Sequence, residues 1–214
     1  MMAEANLGRL SWKVRFPSVR STQGGGRVEG ALAISSTRRG GRGIDLESRW
    51  KTRRVDVFRL SNEVGRSTSL ARGEITGDIT LNGNSIQKLD DLTGRFNFSL
   101  GRTRGAGVPG LVAVSRFLGP ISLVNQTFDV GEAKGIIGGG AITVDEFWLG
   151  SDSALVQADG KVYIQSGRMD LNAMIATGDY RDVAANFAQL AQEYALRTLL
   201  PTSAILDVTE LLRD

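Results

Sequence analysis

The sequence predicts a mainly β protein, a curled antiparallel sheet, because apolar and polar residues alternate with a period of two along seven stretches. The clearest of these stretches have apolar residues at the following positions: Leu10, Trp12, Val14 and Phe16; Ile75, Ile79 and Leu81; Phe96, Phe98 and Leu100. Side chains on a strand point to opposite faces in turn, so each stretch has one apolar and one polar face. Many such strands in series predict a long apolar surface, and what covers it, a second sheet or a lipid, decides the function.

Length and composition suit one large all-β domain. The chain has 214 residues, of which 41% are hydrophobic and 23% are charged. It has no run of 18 apolar residues, so no membrane-spanning helix is predicted. Its first residues lack the basic start and apolar run of a signal peptide, which predicts either a cytoplasmic protein or a piece of a longer one. The strand-like beginning favours a fragment or a short family member.

The missing amino acids restrict the chemistry. The sequence contains neither Cys nor His, which excludes disulfides, thiolate metal sites and the Ser-His-Asp triad, and removes the commonest general base. We therefore expect a protein that is not an enzyme, with no catalytic residue, no metal and no cofactor. A glycan hydrolase that works with two carboxylates is the remaining enzymatic alternative.

Charge is distributed unevenly along the chain. Residues 1–116 hold 20 Lys and Arg against 10 Asp and Glu, a net charge of +10, whereas residues 117–214 hold 6 against 13, a net charge of −7. One interpretation is that the first half faces anionic head groups or nucleic acid. The other is a solvated strand face in a protein that prefers arginine over lysine.

The first half of the chain predicts four strands. Alternation places them at residues 9–16, 26–35, 44–50 and 55–60. The third strand is marked by Ile44, Leu46 and Trp50, and the fourth alternates less regularly. Turns or loops are predicted at residues 18–26 and 38–43, and a polar loop that can hold a helical turn at residues 61–72.

The second half predicts six more strands, at residues 73–82, 93–101, 121–132, 136–150, 154–165 and 168–177. Within the fourth of these, Ile142 and Val144 lie on one phase of the alternation and Phe147 and Leu149 on the other. One extra residue would reconcile the two phases, so a β-bulge is predicted near residues 145–146.

Helical patterns interrupt and follow the strands. Residues 109–118 begin near a proline and end before Gly-Pro, which predicts a short helix that caps or crosses the sheet. Residues 180–199 and 203–212 have apolar residues at helical spacing. The predicted organisation is an elongated sheet domain at residues 1–177 and a helical cap at residues 178–214.

Two strands share a glycine pattern. Residues 26–34 and 73–81 both fit G-x-φ-x-G-x-φ-x-φ, where φ is aliphatic, a weak repeat that indicates similar sheet units. The second glycines, Gly30 and Gly77, fall on the apolar face. Because glycine weakens a strand, either another group approaches or the sheet curls tightly there, or the glycine only relieves twist.

Motifs that resemble binding sites have ordinary structural interpretations. The glycine-rich residues 136–140 precede a strand and not a helix, which predicts a hairpin turn and not a phosphate loop. The arginines at residues 38–39 and 102–104 lack interleaved aromatic residues, so no nucleic-acid binding is predicted. The paired acids at residues 90–91 and 145–146 fit turn and bulge roles, because adjacent strand side chains point apart.

One apolar stripe is the candidate binding surface. From periodicity alone it is either an ordinary core or a groove lined for lipid. Its residues are Ile75, Ile79, Leu81, Phe96, Phe98, Leu100, Phe128, Val130, Ile142 and Val144.

Seven short segments follow one another in a recognisable order. They are GEITGDITLNG (73–83), LDDLTGRFNF (89–98), VPGL (108–111), FDV (128–130), GGAITV (139–144), LGS (149–151) and ADGKV (158–162). Their order and spacing resemble the C-terminal region of the AsmA-like family, the bacterial envelope proteins that include the TamB-type relatives. The resemblance covers about half of the chain.

This resemblance implies a long curled sheet with an apolar inner groove, similar to the repeating β-groove lipid-transfer proteins of eukaryotes. It implies phospholipid transport between membranes or outer-membrane biogenesis in the periplasm, by a membrane-associated protein that is not an enzyme. The implied partners are phospholipid acyl chains and further β-groove segments or envelope proteins. The family's membrane anchor and most of its length are missing here, so the chain would be one segment or a terminal cap. The alternative is a structural or protein-interaction β-domain whose core its own side chains fill.

Overall fold

Ten antiparallel strands form one curled, open sheet. The structure, a computed structural model, describes residues 4–7, 11–37, 43–63, 72–105 and 125–177. The strands are β1 (Glu4–Leu7), β2 (Ser11–Gln23), β3 (Gly26–Thr37), β4 (Ile44–Asp56), β5 (Glu74–Ile86), β6 (Thr93–Arg104), β7 (Thr127–Gly138), β8 (Ala141–Gly150), β9 (Ala154–Tyr163) and β10 (Met169–Thr177). They lie side by side in chain order, with β1 and β10 at opposite edges. The predicted fold class, a mainly β protein with a curled antiparallel sheet, is confirmed.

A single long strand, β4, and a short helix, α1 (Val57–Glu63), replace the two strands predicted at residues 44–50 and 55–60. That prediction was wrong because backbone hydrogen bonds end the strand at its last residue. Asp56 N donates to Gly24 O at 3.0 Å, and Val57 N donates to Gly73 O at 3.0 Å. The Asp56 carboxylate then accepts a bond from Arg59 N at 3.0 Å, which satisfies a free amide in the first turn of α1.

Two strands continue past their predicted ends, because each contains a β-bulge. Residues 18–23 belong to β2, and a bulge between Phe16 and Val19 takes up Pro17, which cannot donate to a ladder. β5 likewise continues to Ile86, past the end predicted for it at residue 82, and a second irregularity there faces the start of β4. Alternation alone does not reveal these extensions, since a bulge breaks the alternation.

The turn between β7 and β8 lies at Gly139 and Gly140, whose φ angles are +60° and +76°. Such angles suit the two-residue turn of a hairpin. The hairpin turn predicted within residues 136–140 is therefore present. The strand break predicted at residues 133–135 was wrong, because β7 continues through them to the glycines.

The predicted bulge in β8 is confirmed. Lys134 pairs with Glu146 and the next residue of β7, Gly135, pairs with Val144, so Asp145 is the extra residue. The pairing with β9 is irregular at the same place, between Val144 and Phe147. The extra residue keeps both apolar segments of β8 on one face of the sheet.

Several predicted elements lie outside the described residues. They are the crossing helix at residues 109–118, the helices at residues 180–199 and 203–212, and with them the helical cap at residues 178–214. Among the described helices, none has the length and apolar character needed to cross a membrane.

The fully buried hydrophobic cluster lies at one end of strands β7 to β9. Phe128, Leu149, Ala154 and Val156 form it, and none of these side chains is more than 2% exposed. Partly buried hydrophobic residues from β6, β8 and β10 pack against it: Leu100, Phe147 and Ile175. The core is thus concentrated at one end, and most of the sheet carries half-buried side chains.

Candidate functional site

The strand register places the apolar positions of β2 to β10 in transverse rows on one side of the sheet, here called the apolar face. One row contains, from β2 to β10, Val19, Gly30, Trp50, Ile79, Phe96, Gly135, Val144, Gly160 and Leu171. The neighbouring row contains Phe16, Leu32, Ser48, Leu81, Gly94, Ile137, Ile142, Val162 and Met169. At about 4.8 Å between neighbouring strands, nine strands give a continuous surface about 40 Å long.

Eight of the ten predicted site residues lie on this face, and the register brings them together. They are Ile75, Ile79 and Leu81 on β5, Phe96, Phe98 and Leu100 on β6, and Ile142 and Val144 on β8. All eight are half-buried. The rings of Phe96 and Phe98 stack with their centroids 6.0 Å apart and their planes at 23°.

The other two predicted residues do not join them. Val130 pairs with Gly101 and Gly150, one position beyond Leu100 and Leu149, so it does not share a transverse row with the other eight. Phe128 is fully buried in the cluster with Leu149 and offers no surface to a ligand. Both were included from alternation within β7 alone, which does not tell which of its two faces joins the neighbouring strands.

The sequence did not single out Trp50, Ile137, Val162, Met169 and Leu171 as site residues. Each occupies an apolar-face position by register. All five lie in predicted strands, but only pairing with neighbouring strands shows that these positions share one face.

Most of the apolar face is neither buried nor fully exposed. In the described residues the fully buried hydrophobic side chains are Val55, Phe128, Ala141, Leu149, Ala154, Leu155 and Val156. These lie near the ends of the strands, whereas the residues of the two rows given above are half-buried, apart from the buried Ser48 and Gly135. The middle of the face is therefore a partly open apolar surface.

Polar residues on the apolar face are satisfied by backbone of the neighbouring strand. Ser48, only 3% exposed, donates from Oγ to Leu81 O at 3.4 Å. Thr52 donates from Oγ1 to Gly77 O at 3.4 Å. No charged residue occupies the two rows, so nothing in them would fix a polar group of a ligand.

Glycines on this face lie so close to the neighbouring strand that its backbone or a large side chain fills the space a methyl group would need. A methyl group at Gly30 would lie 2.7 Å from Trp50 Cδ2, and one at Gly135 would lie 2.8 Å from Phe96 Cζ. At Gly77 it would lie 2.8 Å from the Cα of Phe98. The glycines predicted on the apolar face are therefore places of close approach, the first of the explanations considered for them.

The opposite, polar face carries charges in an alternating transverse row. From β2 to β7 this row contains Arg20, Glu29, Lys51, Asp78, Asn97 and Lys134. Lys134 Nζ lies 2.9 Å from Glu132 Oε1 and 3.3 Å from Glu146 Oε2. These hydrogen bonds, that to Glu132 first, raise the pKa of Lys134 above its usual value. Alternating charges stabilise this register, since opposite charges pair across strands.

The acidic pair at residues 90–91 shapes the connection between β5 and β6. A short 3-10 turn spans Leu89–Asp91. The Asp91 carboxylate accepts backbone bonds from Gln87 N at 2.9 Å and Lys88 N at 3.1 Å, which lower its pKa. This agrees with the turn role expected for the pair. The residues that the structure describes contain no group of three acidic side chains placed to hold a metal ion.

Comparison with known proteins gives no relative. The chain matches no family model, no curated protein and no solved structure.

Proposed function

We propose that this chain is a segment of an AsmA-like protein of the bacterial envelope, whose apolar face holds phospholipid acyl chains during transport between membranes or outer-membrane biogenesis. The observation that carries the proposal is the partly open apolar surface, continuous across nine strands and free of charge in its two central rows. The motif order of residues 73–162 supports the family assignment.

The energetics of such a surface suit lipid transport. Each methylene group of an acyl chain gains about 0.8 kcal/mol when it leaves water for an apolar surface. An acyl chain on this face contacts apolar side chains in every strand, and no charged residue in the two rows holds it in place. It can therefore slide along the face at nearly constant free energy. The charged residues of the polar face are hydrated, so that side of the sheet stays in contact with water.

Location and partners follow from the same proposal. We place the chain in the periplasm or at the envelope, where lipid must cross an aqueous layer. Further β-groove segments or envelope proteins would extend the apolar face at its ends. The proposed role needs no catalytic residue and no cofactor.

A second candidate is a structural or protein-interaction domain with a self-filled core. The buried cluster around Leu149 favours it, because there the sheet already fills its own apolar surface. The two candidates differ in the middle of the sheet. A lipid groove requires the surface around Phe98 to accept a ligand, whereas a self-filled core requires it to be closed by protein.

The deciding experiment is native mass spectrometry with lipid extraction on the purified full chain, expressed in a bacterial envelope background. We expect near-stoichiometric phospholipid on the unaltered protein and its loss in Phe98→Asp. That change puts a carboxylate between Gly77 and Ala133 in the middle of the apolar face, where water can still hydrate it. The matched control is Asn97→Asp. It adds the same charge one residue earlier, on the polar face.

Two results would reject the lipid proposal. One is a stably folded, lipid-free protein that takes up no labelled phospholipid. The other is a Phe98→Asp protein that unfolds outright while Asn97→Asp stays folded, because this would show a closed core at Phe98.

A further inference from the structure

The two edges of the sheet differ in how well they are protected against pairing with another strand. At one edge, β1 is only four residues long. Beside it, β2 carries the bulge that contains Pro17 and the exposed side chains of Arg15 and Arg20. Short edge strands, prolines, bulges and charges are the features by which natural sheets prevent further pairing. This edge is therefore protected.

The opposite edge strand, β10, has almost none of these features. Its sequence, MDLNAMIAT, contains no proline, no glycine and no basic residue, and Asp170 is its only charged side chain. All nine residues pair with β9 without a bulge. In the part of the chain that the structure describes, no strand pairs with the outer side of β10. A long, regular and mostly apolar edge strand is suited to the addition of another strand.

Backbone hydrogen bonds show which residues of β10 direct their N–H and C=O groups outward. These groups point to alternate sides of a strand in successive residues. Tyr163 N donates to Arg168 O at 2.8 Å just before β10, so even-numbered residues of β10 bond to β9. Ser151 N donates to Ala154 O at 2.9 Å, which directs the even-numbered residues of β9 to β8 and gives the same result. The outward residues of β10 are Met169, Leu171, Ala173, Ile175 and Thr177.

These outward residues are complementary to the same residues of a second copy. When two copies of β10 pair antiparallel about Ala173, every outward residue lies opposite an outward residue, and all nine residues of each strand are paired. Leu171 then lies opposite Ile175 of the second copy, and Ala173 lies opposite itself. Asp170 lies opposite Ala176 of the second copy, so the two carboxylates are far apart. Any other symmetric register leaves part of β10 unpaired.

The same pairing limits the assembly to two copies. It uses both unprotected edges and leaves the protected β1 edges outside, so the interface is closed, as in most homodimers. A head-to-tail arrangement, β10 against β1 of the next copy, would cover at most four of the nine residues of β10. Directly paired residues lie on one side of a sheet, so the symmetric pair would join the two apolar faces into one surface about 80 Å long.

We propose that the chain forms a symmetric dimer in which β10 pairs antiparallel with β10 of a second copy about Ala173. The partner is a second copy because one register satisfies every outward backbone group and separates the only charges of the two strands. This inference goes beyond the proposed function, since a structural domain would dimerise through the same edge.

Charge substitutions at Ala173 test the dimer, because this residue lies opposite itself. Ala173→Lys and Ala173→Glu should each dimerise poorly, since two like charges would face each other across the symmetry axis. An equal mixture of the two should form heterodimers, because opposite charges then pair. We expect dimerisation about tenfold weaker for each variant alone than for the mixture. Sedimentation velocity of the full chain over a concentration series measures this difference, and circular dichroism shows whether each variant folds.

The matched control places the same charges at Asn97, an exposed residue of β6 on the polar face. Asn97→Lys, Asn97→Glu and their mixture should dimerise like the unaltered chain. Equal weakening in this control, or folded Ala173 variants that dimerise as well as the unaltered chain, would mean that β10 is not the interface.

Hydrogen exchange of the unaltered chain tests the pairing without any substitution. The amides of Asn172 and Met174 bond to β9 and should be protected at every protein concentration. The amides of Leu171, Ala173 and Ile175 point outward and should be protected only at concentrations at which the chain is dimeric.

Two results would overturn the dimer and leave the lipid proposal standing. One is a chain that stays monomeric up to its highest soluble concentration. The other is protection of the outward amides in the monomer, because another part of the same chain would then cover β10. Loss of lipid binding in a chain that still dimerises would have the reverse meaning: the proposed function fails and the dimer stands.

Discussion

Trp50 on β4 covers Gly30 on β3, its direct cross-strand partner on the apolar face. A methyl group at Gly30 would lie 2.7 Å from Trp50 Cδ2, well inside van der Waals contact. The indole and the backbone carbonyl of Arg49 therefore fill the space that a side chain at Gly30 would need. This lets a large aromatic residue lie against the sheet instead of standing up from it.

Replacing Gly30 with alanine should force the indole of Trp50 away from β3. We expect a loss of about 1–3 kcal/mol in the free energy of unfolding, the usual cost of overpacking, and a red shift of the tryptophan fluorescence. Urea unfolding and emission spectra measure both. The control is Gly101→Ala, where the new methyl group would have no neighbour nearer than 3.9 Å. A Gly30→Ala protein as stable as the control would contradict the close contact.

Leu149→Ala and Phe98→Ala should differ in cost although phenylalanine is the larger side chain. Leu149 is fully buried in the core cluster, so its truncation leaves a cavity and should cost about 2–5 kcal/mol. Phe98 is half-buried, and its truncation should cost about 1–2 kcal/mol in lipid-free protein. Denaturant unfolding compares the two. An equal or larger cost for Phe98→Ala would mean that the middle of the face is closed.

Deletion of Asp145 should be tolerated. The deletion removes the extra residue of the β8 bulge, and Phe147 and Leu149 stay on the face of Val144. We expect a loss of no more than about 1–2 kcal/mol, from the lost local twist. Deletion of Asn97 is the matched comparison: it moves Phe98 and every later residue of β6 to the wrong face.

Circular dichroism and thermal unfolding of both deletion proteins check this prediction. The Asn97 deletion should fail to fold. If the Asp145 deletion fails to fold as well, the bulge has a role beyond reconciling the two phases of β8.

Asp91 should make the β5–β6 connection sensitive to acid. Its pKa is lowered in the folded protein by backbone bonds from Gln87 and Lys88, so its stabilising effect is complete above the unfolded-state pKa near 3.9. The effect is lost as the pH falls through the lowered folded-state value. The difference in urea midpoint between the unaltered protein and Asp91→Asn should therefore shrink from pH 7 to pH 3. Asp152→Asn serves as the control on an exposed acid, and a pH-independent difference would contradict the assignment.

The sequence was enough to predict which side of each strand is apolar, but not where each strand begins and ends. Alternation within each strand identified the apolar side, and the phase change in β8 predicted its bulge, because both effects are local. The ends of β2 and β5 were missed, since bulges at Pro17 and Ser85 break the alternation where the strands continue. The helix α1 was missed because Val57 and Phe58 suit a strand, and distant backbone bonds decide otherwise.

For the candidate site too, local alternation was predictable from the sequence, whereas strand pairing was not. Eight of the predicted residues share the apolar face, because their strands alternate regularly. Val130 falls outside their rows, because it pairs with Gly101 and Gly150.

The strictly sequential order of the strands has a consequence for how such a protein can change over generations. Each strand pairs only with the strands before and after it in the chain. A duplicated hairpin could therefore be inserted without rearranging any older pairing, and it would lengthen the surface by about 10 Å. The related glycine patterns at residues 26–34 and 73–81 are what such copying would leave behind. The length of the apolar face would then depend on how many hairpins the gene encodes.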